Sequence, residues 1–412
     1  MSQAEKIKRN SIIVMIFFSF VFGIAILATL LSPKKMPPQA KAYFRKSTFK
    51  TIGGKAADIA WDITQVKDGG FVICGDTRSF GAGGSDVYIV KTDDKGELIW
   101  SRTFGDELDD AAMSLAPSED GGVVFAGGTR SYGKGETDMY LMKVDADGDC
   151  VWTRTLGGKD YDYAYSIKNT KDKGYIVAGY TSGQERSDMY VIKIDGKGKT
   201  QWEKTFGDYG WEVAYSAEQT SDNGYIICGY TTSTINAQSL VYLVKTDADG
   251  DCVWSRTYGG TRENRGYNAV QDVDGGYIVT AKTTSYISKG VGWDVMAFKV
   301  DAKGNSLWTS FIPAADTDVG KSIIIDGNGQ YMIGSTKRCY GICDTDMCLE
   351  RLDAAGNTTM YRIYSGPGND TFNSMIKDKD GNYEICGTTT SSGNGRTDLL
   401  MMKMGKDGEQ IW

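Results

Sequence analysis

The chain contains no histidine among its 412 residues. That absence excludes Ser-His-Asp and Cys-His catalysis, histidine-ligated metals and c-type haem attachment, and leaves any chemistry to Asp, Glu, Lys, Tyr or Cys. Proline is scarce, with 6 residues, and three of them (Pro33, Pro37 and Pro38) crowd one short segment. A concentrated basic surface is lacking as well. The formal net charge of -7 argues against nucleic acid and against an anionic membrane surface as partners. Only one stretch, Ser11 to Leu31, is long, mostly apolar and free of charge.

That stretch is long enough to cross a bilayer as a helix. Lys6, Lys8 and Arg9 precede it, so the positive-inside rule places residues 1–10 in the cytoplasm. An uncleaved signal-anchor over 11–31 is the preferred reading, and a cleaved signal peptide is the alternative. Either way the remainder is exported. Residues 32–45 read as a spacer, and 46–412 as one folded unit.

What is abundant is repetition. The phrase Asp-Met-Tyr-Val-Ile-Lys-Ile-Asp-x-Lys-Gly-x-x-x-Trp at Asp188 to Trp202 recurs with its last position at Trp100, Trp152, Trp202, Trp254, Trp308, Met360 and Trp412. Within one unit, Ala164 to Lys168 alternates as a strand. Asp172-Lys173-Gly174 makes a tight turn, and Asp68-Gly69-Gly70 and Asp274-Gly275-Gly276 stand in its place elsewhere. Tyr175 to Tyr180 is a second strand, Asp188 to Asp195 a third, and Thr200 to Phe206 a fourth. Four antiparallel strands repeated seven times without a helical pattern specify an all-β, seven-bladed propeller. The chain stops at Trp412, before the Thr-x-Gly-Gly that normally follows the Trp, and Lys50 to Gly54 supplies that piece from the other end. Residues near 46 to 53 are therefore expected to form the outer strand of the last blade and hide an open edge.

The segment Tyr-(Leu/Val)-x-Lys-x-Asp-x-x-Gly-x-x-x-Trp, seen at Gly96 to Trp100 and Gly148 to Trp152, resembles the tryptophan-docking repeat of quinoprotein-like propellers. The phrase Asp-Gly-Gly-Tyr-Ile-Val is similar to repeats of exported bacterial and archaeal surface propellers. The resemblance spans 46–412. It implies architecture and no cofactor.

Candidate sites follow from the repeat and its breaks. Asp58, Asp110, Asp162, Glu212, Asp318 and Asp370, with Asn264 in the fifth unit, open strand one. Alternation puts Asp62, Ser114, Ser166, Ser216, Asn268, Ser322 and Ser374 on the same face, bordering a central channel. The carboxylates read first as turn-bonding residues, with a calcium site as the alternative. The Asp that opens strand three, as at Asp86, Asp138 and Asp398, reads as a bond to loop amides. Cys74, Cys228 and Cys386, like Cys150 and Cys252, occupy equivalent positions and read as small apolar core residues. Cys339, Cys343 and Cys348 cluster in the sixth unit, where one local disulfide is open.

Variable loops over a rigid scaffold are where binding residues concentrate. Tyr132, Trp211, Arg265, Tyr286, Trp293 and Tyr340 are the aromatic and Arg anchors expected to meet a protein or glycan partner. The sequence offers no catalytic residues for such a binding or scaffold module. The alternative is a glycan-active hydrolase using paired carboxylates near the channel.

Overall fold

The computed structural model describes residues 49–183, 186–286, 292–312, 318–327, 329–338 and 344–412, and the backbone of 43–46. The anchor over 11–31, Cys339, Tyr340 and Cys343 lie outside the described residues. Seven sheets, six of four strands and one of five, each contain four antiparallel strands. They form the seven blades of a propeller. Strand one of each blade is innermost and strand four outermost. In blade three these are Asp162–Asn169, Tyr175–Ser182, Ser187–Ile194 and Thr200–Phe206.

Strands two and three are buried on both faces because each blade is covered by a neighbour on either side. There is accordingly no single core. Seven apolar layers lie between adjacent blades, such as Cys74 and Ile89 of blade one against Phe125 and Tyr140 of blade two. The last layer joins Ala60 and Ile73 of blade one to Leu399 and Met401 of blade seven.

The repeated phrase has a physical reading in this frame. Its Lys pairs with the hairpin Asp of the same blade, as in Lys193 to Asp172 at 2.8 Å, Lys245 to Asp222 at 2.9 Å and Lys143 to Asp120 at 2.6 Å. Hydrogen bonds from Lys143, Ser118 and Gly122 overcome burial and pull Asp120 down to about 2. Its next Asp closes the following turn: Asp195 accepts from the Lys197 and Lys199 amides, both at 2.9 Å. The same geometry at Asp145 and Asp247 makes those turns plain hairpins. The final Trp reaches the next blade. Trp100, Trp254 and Trp308 donate their indole N–H to the carbonyls of Ala146, Ala302 and Ala354.

Ring closure is as expected. Lys50–Ile52 pairs antiparallel with Asp398–Met404 and completes blade seven. One pairing was not legible: Tyr43–Lys46 runs parallel to Thr358–Ser365 as a fifth strand of blade six. Among the described residues, sheet structure thus reaches back to 43, inside the segment read as spacer. Cys74, Cys228 and Cys386 are buried in interblade layers, but Cys150 and Cys252 are exposed at the start of strand four rather than in the core. Cys348 is a free, buried thiol. Among the described residues no helix is long and apolar enough to cross a membrane.

Candidate binding site in the central channel

Strand one carries the same irregularity in every blade. The register shifts between Ala60 and Asp62, Ala164 and Ser166, and Ala214 and Ser216, so one residue of each strand is an unpaired insertion. The inserted residues are Trp61, Met113, Tyr165, Tyr215, Tyr267, Lys321 and Asn373, and all seven line a central cavity of about 590 Å³. A cavity of that size suits a drug-sized or sugar-sized ligand. Simple alternation does not foresee this, because a bulge offsets the face by one residue.

The rings of this lining touch one another. Tyr165 and Tyr215 have centroids 4.9 Å apart, and Tyr215 and Tyr267 stack at 5.0 Å with a 22° tilt. A second tier stands nearer the start of the inner strands. Arg265 is opposite Lys282 in blade five and Tyr163 opposite Tyr180 in blade three. Arg265 lies over the Tyr230 ring at 4.7 Å, and the Lys282 ammonium lies over the Trp293 ring at 4.1 Å and the Tyr267 ring at 5.8 Å. Tyr163 has room because Gly128 of the neighbouring blade has no side chain; a Cβ there would strike its ring.

The cavity wall bears two carboxylates, Asp62 and Glu218. Asp62 accepts from Ser114 at 2.8 Å, Ser374 at 2.7 Å and the Leu115 amide at 3.2 Å, with Lys168 at 3.7 Å. Burial pushes Glu218 up against the pull of Lys168. Asp62 is thus committed to holding inner strands together. Burial and the cost of charge hold the Tyr165 and Tyr267 phenols well above their ordinary range, which disfavours them as bases.

The outer carboxylate set sits elsewhere. Asp58, Asp110, Asp162, Glu212, Asp318 and Asp370 are buried and do not line the cavity. Each of four bonds hydroxyls of its own blade: Asp58 takes Thr77 and Ser79, Asp110 takes Ser131, Glu212 takes Thr231 and Ser233, and Asp370 takes Thr389 and Ser391. Asp162 accepts from the Gly158 amide at 2.7 Å. Among the described residues no three His, Cys, Asp or Glu side chains stand close enough to hold a metal ion. The Asp that opens strand three bonds loop amides, as in Asp138 with those of Lys134 and Gly135.

Of the expected anchors, Arg265 and Trp293 are linked through Lys282, which stands opposite Arg265 and lies over the Trp293 ring. Arg265 belongs to the inner strand Asn264–Gln271, not to a loop. Trp211 is 51% exposed between blades three and four, beside Tyr209 at 87%. Tyr132 is 40% exposed and donates to the Gly105 carbonyl at 3.0 Å. Tyr286 packs on Phe311 at 4.5 Å and is half-buried. Tyr340 lies outside the described residues.

Sequence reasoning missed a polar break in blade six. Lys337 stands where the other blades have Thr, and Glu350 where they have an apolar residue. The two form an ion pair at 2.6 Å with side chains 2% and 0% exposed. Beside them Asp318 has no hydroxyl partner of the kind Asp58 has. Burial, with Glu350 nearby, pushes it up to about 7 despite Lys337. The substitution of Lys for a recurring Thr was the signal that could have revealed it.

No family model matches the chain. The regulatory protein FlaEY of Caulobacter vibrioides is 32% identical over 98 residues, which is 21% of this chain and 10% of that protein. The match thus spans about a tenth of the length of that curated relative. Among solved structures, a PL25 ulvan lyase bound to a -[GlcA(1-4)Rha3S]- saccharide is similar at a TM-score of 0.56 and 12% identity, over 87% of this chain and 97% of the other. The periplasmic gluconolactonase PpgL of Pseudomonas aeruginosa is similar at 0.52 and 13%, over 82% and 93%. The β-propeller domain of the trilobed protease from Pyrococcus furiosus is similar at 0.50 and 11%, over 88% and 97%. At such identities these likenesses establish the fold alone: the chain is a seven-bladed β-propeller, a fold that fits a binding or scaffold role.

Proposed function

We propose that the protein is a non-catalytic binding propeller, tethered by its N-terminal apolar segment and displayed on the extracytoplasmic side of the membrane. It takes a protein or glycan partner on the face where the channel opens among Arg265, Lys282 and Trp293. The tether rests on Ser11 to Leu31 and the basic residues before it. The observation that carries the binding reading is the contiguous aromatic wall of Tyr165, Tyr215 and Tyr267 below that mouth. Partly solvent-open aromatics that are already packed lose little entropy when a partner covers them. The hydrolase alternative needs two carboxylates free to act, and Asp62 is fully engaged by its own protein.

The test is a glycan array and an affinity capture from native membranes, comparing the wild-type propeller with a Trp211→Ala/Trp293→Ala variant. Capture should fall at least about tenfold, or about 1.4 kcal/mol, with an unchanged unfolding midpoint. Unchanged capture by the variant would remove these residues from the site. Wild-type protein that retains nothing from either source would overturn the binding reading itself.

A further inference from the structure

Two lysines stand out at the channel: Lys321 lines the cavity, and Lys282 lies beside its wall, over the Tyr267 ring. Lys321 is the only cation among the seven inserted residues of strand one. Lys282 sits on strand two of the adjacent blade, opposite Arg265. Neither joins an ion pair among the described residues. The contacts of Lys321 are the neutral Asn373 Oδ1 at 2.5 Å and the face of Trp61 at 5.5 Å. Those of Lys282 are the faces of Trp293 and Tyr267. The two acids that line the cavity, Asp62 and Glu218, are drawn to another cation. Asp62 has Lys168 at 3.7 Å, and Lys168 is also the cation that acts on Glu218. Arg265 has Glu263 at 3.7 Å.

Unpaired ammonium groups on a half-enclosed wall are costly, because burial removes water without returning a counter-charge. Burial first, then like charge, depresses both: Lys282 falls to about 8, with Arg265 acting on it and Glu263 only partly opposing, and Lys321 falls to about 8, with Lys282 acting on it. A group of mutually repelling cations beside stacked rings has one simple complement, an anion attached to a flat or ring-shaped body.

We propose that the central channel binds a small ring-borne carboxylate, its anion drawn to Lys282 and Lys321 and its ring lying along Tyr215 and Tyr267. This rests on the reading of the channel mouth as a binding surface, and names the chemistry it selects. A uronic acid unit and an aromatic acid share that chemistry. The cavity of about 590 Å³ admits either.

Titration calorimetry with glucuronate, benzoate and neutral glucose, at matched ionic strength, tests the proposal on wild-type protein and on Lys282→Met, Lys321→Met and Tyr215→Ala. At least one carboxylate should bind, glucose should not, and each Lys→Met change should weaken binding at least about tenfold. The comparison of glucuronate with benzoate tells which body the channel prefers. Met keeps the length of the stem and removes an unpaired charge, so both variants should unfold at the same or a higher temperature than wild type. A merely structural role for the lysines predicts lower unfolding temperatures instead. Equal binding by the Lys→Met variants, or binding of glucose as strong as that of glucuronate, overturns the proposal. So does the absence of heat with both acids. In that last case, partner capture that still depends on Trp211 and Trp293 leaves the propeller a binding module with an unused channel. Loss of both sinks the two readings together.

Discussion

Returning blade six to the pattern of its neighbours should separate the cost of a broken buried ion pair from the worth of an intact one. Lys337 and Glu350 meet at 2.6 Å with almost no solvent contact. Lys337 also lies over the Tyr361 ring at 4.6 Å, and Asp318 feels its charge. Replacing Lys337 with Thr strands Glu350 in an interior without its cation, while Asp318 exchanges the lysine's charge for a hydroxyl. Removing one partner of such a pair costs about 3–5 kcal/mol. Glu350→Val should cost less, because Asp318 remains as a counter-charge for Lys337. The double variant Lys337→Thr/Glu350→Val reproduces the Thr and apolar residue of blades such as blade one, with Thr77 and Val90. It also restores a hydroxyl for Asp318, as Thr77 serves Asp58. Replacing both members of a buried pair is often neutral or stabilising by about 1–4 kcal/mol. Urea unfolding of all four proteins gives the coupling energy, expected at roughly 3 kcal/mol or more between these touching residues. If the Lys337→Thr protein is as stable as wild type, or if the double variant is no better than its worse parent, the reasoning is wrong.

Two further outcomes follow from the same structure. Asp318 holds its proton up to about 7 in the fold, far above its ordinary 3.8, so the unfolded chain releases a proton that the folded one keeps. Its contribution to stability is therefore full below pH 4 and is lost as pH rises to about 7. Asp318→Asn should gain on wild type in unfolding midpoint between pH 5 and pH 8, and a constant difference across that range would refute the assignment. Deleting residues 43–54 removes the outer strand of blade seven and the extra strand of blade six together. The melting temperature should drop sharply, and no change would contradict closure through Lys50–Ile52.

The strands of this protein were legible because their signals are local. Asp-Gly and Gly-Gly turns between alternating segments fix four strands, and Thr200 to Phe206 was delimited correctly from pattern alone. The closing strand was legible because Lys50 to Gly54 carries the Thr-x-Gly-Gly that follows the Trp in other units. The channel was legible in part: Asp62, Ser114, Ser166, Ser216, Asn268, Ser322 and Ser374 line it, as alternation expects. The rest of its inner lining depends on an inserted residue in strand one, visible only in the pairing between Ala164 and Ser166 and its six counterparts. That one-residue offset carries Tyr165, Tyr215, Tyr267 and Lys321 onto the wall and leaves Asp162 and Glu212 bonded within their own blades.

The sequence by itself determined the number of blades, their strand order and the joining of the two ends. Periodicity and turn chemistry act over a few residues, and seven copies of the same instruction leave one architecture. Tertiary structure alone decided that the inserted residues of strand one share the channel with the set that alternation expects. It set Lys282 of one blade where its charge acts on Lys321 of the next, and it buried Lys337 against Glu350. Those neighbours lie on different strands, and their charge and burial exist only once the ring has closed.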